Sequence, residues 1–162
     1  MTRAFIAVPL PEVIRTSLLN LDRSQEGIRW SAPEQWHITI QFFEDVDIQK
    51  LKCLFLSIRA RGVVATMGPR ITRLGQEVLV VPVDGVLPLA ESVQAMMLSQ
   101  TSSKPLPYIG HITLGRIKKN LTPKLEGSSV EGSFQVDRLI LVESQVTPNG
   151  HKHSIVESQM LL

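Results

Sequence analysis

His37-Ile38-Thr39-Ile40 and His111-Ile112-Thr113-Leu114 are near-copies, offset by 74 residues (111 − 37) in a chain of 162. Each sits in a short apolar run that reads as a β-strand, Trp36–Phe43 and Tyr108–Ile117. The chain has four histidines and nine threonines. Composition therefore gives His-x-Thr-apolar about 0.1 expected occurrences, by the false-positive reasoning that any motif needs. It occurs twice, once in each half. In a strand, side chains two apart share a face. His37 and Thr39 thus point one way and Ile38 and Ile40 the other, and the second tetrapeptide repeats the pattern. Each strand anchors itself in a core with one face and offers an imidazole and a hydroxyl on the other.

Outward from these strands the elements alternate. Ala4–Val8 is an apolar strand stopped by Pro9. Pro11 opens a helix striped by Ile14, Leu18 and Leu21 and ended by Gly27. Residues 28–31 are extended. Asp47 caps a second helix that runs to Ala60, with Ile48, Leu51, Phe55 and Ile58 on its apolar stripe. Ile71–Leu74 and Val78–Val83 read as strands joined around Gly75, and a third helix begins near Pro88 with Leu89, Val93 and Met96 or Met97. Residues 100–107 form a polar, proline-bearing loop, and residues 123–132 a second loop. Phe134–Val142 and Ser154–Leu161 read as the last two strands, turned by Pro148-Asn149-Gly150. Helices mixed with short-turned strands point to an α+β fold. No linker divides the chain, so residues 1–162 read as one domain with two lobes, each carrying one His-x-Thr-apolar motif.

Composition narrows the function. Apolar residues make up 43% and charged residues 20%, which is enough apolar material for a core. The formal charge of +2 argues against a protein that grips duplex nucleic acid through many phosphates. It leaves room for a pocket holding one or two. The single cysteine, Cys53, excludes an internal disulfide. The opening apolar run is too short for a signal peptide or membrane span. A cytoplasmic protein with no membrane association and no obligate protein partner is the expectation.

Two imidazoles and two hydroxyls facing one cleft suit phosphoryl chemistry. A histidine near its ordinary pKa of about 6.5 is present in both forms at neutral pH. One can take a proton from water while the other gives one to a leaving oxygen. Thr39 and Thr113 can donate to phosphate oxygens as charge builds in the transition state. Neither a metal nor another cofactor is needed. For the threonines, the plain alternative is strand propensity; for a lone histidine, it is structural packing.

The paired motifs are the hallmark of the 2H phosphoesterase superfamily, and the chain resembles its RNA 2′,3′-cyclic phosphodiesterases, also called 2′-5′ RNA ligases. The likeness extends to the opening stretch Arg3–Pro11, to Ile28-Arg29-Trp30 with Pro33-Glu34 before the first motif, and to Glu143-Ser144-Gln145 with Pro148 and Gly150 at the end. The resemblance implies two pseudo-symmetric lobes with antiparallel sheets, a central cleft and helices outside. It implies hydrolysis of an RNA 2′,3′-cyclic phosphate end to a 2′-phosphate, with reversible 2′-5′ ligation as a related reaction. By analogy, His37 is the proton donor and His111 the proton acceptor, although the two halves are too alike for the residues alone to decide. The partner is an RNA end or another small cyclic phosphate.

Some positions depart from the family pattern. Gly110 stands where proline often precedes the second histidine, Glu44 follows Phe43 where Leu-Gly is usual, and Gln41 replaces a frequent arginine. Strand parity puts Gln41 on the cleft face. Arg116 matches a family position, but parity turns it away from His111 unless a bulge intervenes. His151 and His153 read as solvated turn residues rather than metal ligands. Cys53 reads as core. Phe43 and Tyr108 are the better candidates for stacking on a base, against core packing for each. Two other function classes stay open: a non-catalytic RNA-end binding module, suggested by Gln41 and Gly110, and a metal-dependent phosphatase, which lacks a third ligand.

Overall fold

The computed structural model of the chain describes residues 2–100, 107–118 and 120–162. Most of the expected loop at residues 100–107 lies outside them. The described elements are ten strands and three α-helices: β1 (Thr2–Pro9), α1 (Glu12–Leu19), β2 (Ile28–Trp30), β3 (His37–Val46), α2 (Ile48–Leu56), β4 (Val63–Met67), β5 (Thr72–Leu74), β6 (Val78–Asp84), α3 (Leu87–Met96), β7 (His111–Ile117), β8 (Gly132–Val136), β9 (Arg138–Thr147) and β10 (Gly150–Met160). The fold is α+β, as the sequence implies.

The strands form one path, β10-β9-β1-β3-β7-β6-β4-β8, with β2 beside β7 and β5 beside β6. Every pairing is antiparallel. The path has a two-fold pattern about its middle. β3 and β7 meet there through the pair Ile38↔Ile112. Outside β3 lies β1, with Pro9 opposite His37; outside β7 lies β6, with Pro82 opposite His111. These are the two pseudo-symmetric halves.

One face of the sheet carries the main core. Ile38, Ile40, Ile112 and Leu114 pack there with Ile14 and Leu18 of α1, Leu51 and Phe55 of α2, and Leu89 and Val93 of α3. Each helix is placed by its own signals. Pro11 caps α1, and Ile14 and Leu18 are its buried residues. Asp47 accepts from the Gln49 backbone amide at 3.0 Å and so caps α2. Pro88 lies in the first turn of α3. The opposite face carries the motif side chains and a small apolar floor of Phe5, Ala7, Ile140 and Val142.

Three expectations are corrected. The apolar run Phe134–Val142 is two strands, broken at Asp137: β8 pairs with β4 in one half and β9 with β1 in the other. Phe134 and Val136 lead straight into the buried run Leu139–Val142, and this hides the crossing, because each strand pairs with a partner far away in sequence. Val63–Met67, given no element above, is β4. Cys53 is exposed, on the solvent side of α2.

Candidate active site

The geometry of the two motifs follows from one backbone pair. With Ile38 opposite Ile112 in an antiparallel register, His37 falls beside Thr113 and Thr39 beside His111. The two histidines then occupy one diagonal of a square and the two threonines the other. Diagonal neighbours across such a pair lie roughly 7–8 Å apart at the backbone. A phosphate placed at the centre meets an imidazole on two sides and a hydroxyl on two others.

Both rings are oriented in the same way. His37 Nδ1 lies 2.6 Å from the Gln35 carbonyl oxygen, and His111 Nδ1 lies 2.8 Å from that of Ile109. A carbonyl only accepts, so Nδ1 carries the proton in each and Nε2 is left as the working nitrogen. The Thr39 hydroxyl donates to His37 Nε2 at 2.8 Å. Thr39 is itself held by its strand, whose carbonyl accepts from the Tyr108 hydroxyl at 2.8 Å. Burial raises the Tyr108 pKa far above its ordinary value, so Tyr108 stays protonated as that donor.

His37 is unlike His111 in its surroundings. Phe5 stacks on its ring at 4.6 Å between centroids, and His153 meets it edge-on at 6.1 Å. Burial lowers its pKa to about 4, against the Gln35 hydrogen bond and with help from His153 and His111. At neutral pH it is therefore neutral before substrate binds.

The cleft, about 530 Å³, is lined by Arg29, Trp30, Ser31, Ala32, Gln35, His37, Thr39, His111, Thr113, Arg116, Asn149, Gly150, His151 and His153. All four histidines of the chain line it, and among the described residues no carboxylate does. His151 and His153 are thus not turn residues: they stand at the start of β10, whose hairpin with β9 folds back over the site. The Gln35 side chain donates to the His151 carbonyl at 3.1 Å, tying this hairpin to the segment that orients His37. Among the described residues, no group of three or more His, Cys, Asp or Glu side chains is arranged to hold a metal ion.

Two bulges decide what else reaches the cleft. Ala7 and Ile6 pair with Thr39 and Gln41, which leaves Ile40 as an extra residue on β3. Val80 and Leu79 pair with Thr113 and Gly115, which leaves Leu114 extra on β7. Each bulge reverses the parity that follows it. Arg116 is thereby turned into the cleft. Gln41 is turned away: it pairs with core-facing Ile6, and Phe42 takes the place opposite Phe5. A signal for this was present. Buried apolar residues fall at 38, 40 and 43 in one half and at 112, 114 and 117 in the other, the same change of phase after each motif. The stacking candidates also change. Phe43 is core and Tyr108 is spent on Thr39, while Trp30 lines the cleft.

Known proteins agree with this architecture. Residues 8–62 match the family described as LigT like Phosphoesterase. The chain is 25% identical to the RNA 2′,3′-cyclic phosphodiesterase of Methanocaldococcus jannaschii, over 96% of this chain and 98% of that one. It is 25% identical to the protein of the same name from Thermotoga maritima, over 95% and 92%. Escherichia coli LigT, solved with 3′-AMP, superposes with a TM-score of 0.78 at 23% identity, over 99% of this chain and 98% of that one. The chain is thus similar in sequence to the LigT-like phosphoesterases and shares the fold of Escherichia coli LigT. The two curated relatives it resembles both carry the name RNA 2′,3′-cyclic phosphodiesterase.

Proposed function

We propose that this protein hydrolyses RNA 2′,3′-cyclic phosphate ends to 2′-phosphates, without a metal, using His37 and His111 as the acid–base pair. The observation that carries this reading is the diagonal of two Nε2 nitrogens, each fixed by its own Nδ1–H bond, in a cleft that no carboxylate among the described residues lines. The names of the relatives supply the substrate class.

In the reaction, one neutral imidazole accepts a proton from water as the oxygen attacks phosphorus. The bond from phosphorus to the 3′-oxygen breaks, and the other imidazole, protonated, gives its proton to that oxygen. A 3′-hydroxyl and a 2′-phosphate result. Attack by a 5′-hydroxyl in place of water would form a 2′-5′ linkage by the same proton movements. Thr39 and Thr113 donate to the non-bridging oxygens, and Thr39 releases His37 Nε2 to do so.

The resemblance makes His37 the donor and His111 the acceptor. His37 is neutral in the free cleft, so in that role it acquires its proton together with the anionic substrate, whose charge favours the imidazolium. Hydrolysis of a short RNA with a 2′,3′-cyclic end, in EDTA, tests the proposal. Wild type should produce a 2′-phosphate. His37→Ala and His111→Ala should each lose about 10²–10⁴ in kcat, the usual contribution of a positioned acid or base. Turnover that survives both substitutions together would refute it.

A further inference from the structure

We propose that His153 is a positioning residue for His37: its ring closes a three-ring cluster that sets His37 apart from His111, its counterpart in the other half. The inference rests on the acid–base reading above and deepens it.

The rings come from three strands. Phe5 of β1 stacks on His37 of β3 at 4.6 Å between centroids. His153 of β10 meets Phe5 edge-on at 5.1 Å and His37 edge-on at 6.1 Å. Register explains how a side chain of β10 reaches that far. His153 lies opposite Ser144 of β9, and Ser144 lies opposite Arg3 of β1. Residues directly opposite one another share a face of the sheet. Ser144 is small and buried, so the His153 ring passes over it toward Phe5. The backbone of β10 is tied to the same target. The Gln35 side chain donates to the His151 carbonyl at 3.1 Å, and the Gln35 carbonyl accepts from His37 Nδ1 at 2.6 Å. One residue thus orients His37 and holds the strand that covers it.

The second half has no such cover. Its counterparts of Ala7 and Phe5 are Val80 and Val78, opposite Thr113 and Arg116 on β7. Beyond β6 at this level lies β5, through Thr72, Arg73 and Leu74, where the first half has β9 and then β10. Among the described residues, no aromatic ring packs on His111. Symmetry supplies two like histidines, and the β9–β10 hairpin covers one of them. Burial is the main cause of the low pKa of His37, about 4, and the charge of His153 adds to it. The other titratable or charged groups around the ring are His111 on β7, His151 beyond His153 on β10, Arg3 on β1, and Arg29 and Arg116 along the cleft. None of these packs a ring on His37, so His153 is the cover whose removal admits water. A dry imidazole refuses a proton until an anion arrives, whereas a wet one titrates near its ordinary value. His153 in this way ties protonation of His37 to the presence of substrate.

NMR titration of His37 in wild type, His153→Ala and His153→Phe tests this without turnover. Alanine removes the cover, so the midpoint should rise from about 4 by about one pH unit or more, toward the ordinary value of about 6.5. Phenylalanine keeps an uncharged ring in place, so the midpoint should stay within about half a pH unit of wild type. A midpoint that His153→Ala leaves in place overturns the inference. So does an equal rise in both variants, because His153 would then act through its charge and not through its packing. A wild-type midpoint at the ordinary value overturns it as well. Hydrolysis of a 2′,3′-cyclic RNA end judges the underlying reaction separately. The pH profile of kcat/KM reports groups of the free enzyme, so in His153→Ala one limb should move with the NMR midpoint. A profile that stays fixed while the midpoint moves, or no turnover by wild type, upholds the packing and overturns the part of His37 in the reaction.

Discussion

His37 stores a measurable pH dependence. In the unfolded chain its imidazole titrates near its ordinary 6.5; in the folded protein, burial holds it at about 4. Between these values the unfolded state binds a proton that the folded state refuses. Stability is therefore whole above pH 6.5, falls as the pH drops toward 4, and is flat below. The difference amounts to about 3 kcal/mol, taking 1.36 kcal/mol for each pH unit. Urea unfolding at pH 7 and at pH 4.5 should show that slope in wild type and a shallower one in His37→Gln. The same ring tests the donor role. Its NMR titration should move from about 4 in the free protein toward neutrality when a nucleoside 2′-phosphate is bound. A midpoint that stays put would mean that His37 does not carry the proton. His153 belongs to this cluster too: burial and His151 lower its own pKa. No local pattern announces this, since its packing against Phe5, at 5.1 Å between ring centroids, joins strands from the two ends of the chain.

At the scale of the element, the strands that carry the motifs were legible and their irregularities were not. Period-2 alternation found β3 and β7, and residue identity alone found His37, Thr39, His111 and Thr113. Alternation also placed Gln41 in the cleft and Arg116 outside it, and the bulges at Ile40 and Leu114 invert both. A bulge is set by how two strands pair, so a single strand's periodicity shows it only as a change of phase. The Asp137 break escaped for a related reason, because the partners of β8 and β9 lie far away in sequence. Gly110 is a departure that the structure explains. A Cβ there would stand 2.5 Å from the Val83 carbonyl oxygen and 2.8 Å from the Val86 side chain. The second motif is packed this tightly against β6 because the Val83 amide donates to the Gly110 carbonyl at 2.9 Å. Gly110→Pro, which would restore the common family residue, should destabilise the protein by about 1–3 kcal/mol through overpacking. It should also reduce kcat by displacing the start of β7. A thermal melt and a rate measurement on the folded variant check both effects. Wild-type stability in this variant would mean that β6 yields to the ring.

For the whole molecule, the proposed active site is the product of a joint. Two similar halves meet through a single backbone pair, Ile38↔Ile112, and both side chains are fully buried. Each half brings one histidine and one threonine, and neither half alone completes the square. On the proposed mechanism, the alignment of the two histidines depends on how the two isoleucines pack beneath them, a dependence that peripheral core residues do not share. Leu18 of α1 is as deeply buried but lies outside the pair of motif strands. Ile112→Ala and Leu18→Ala should each cost about 2–5 kcal/mol, the usual range for such truncations. Measured well below both melting temperatures, the two folded variants should differ in activity. Leu18→Ala should keep kcat near wild type. Ile112→Ala should lose on the order of 10²-fold, the scale on which a displacement of about 1 Å between reacting groups is felt. Equal activity per folded molecule would show that the halves are registered by something other than this joint. The register would then be set by the other links across the joint: the Gln94 side chain donating to the Ile40 carbonyl, the Tyr108 hydroxyl donating to the Thr39 carbonyl, and Arg29 against the turn of the β9–β10 hairpin.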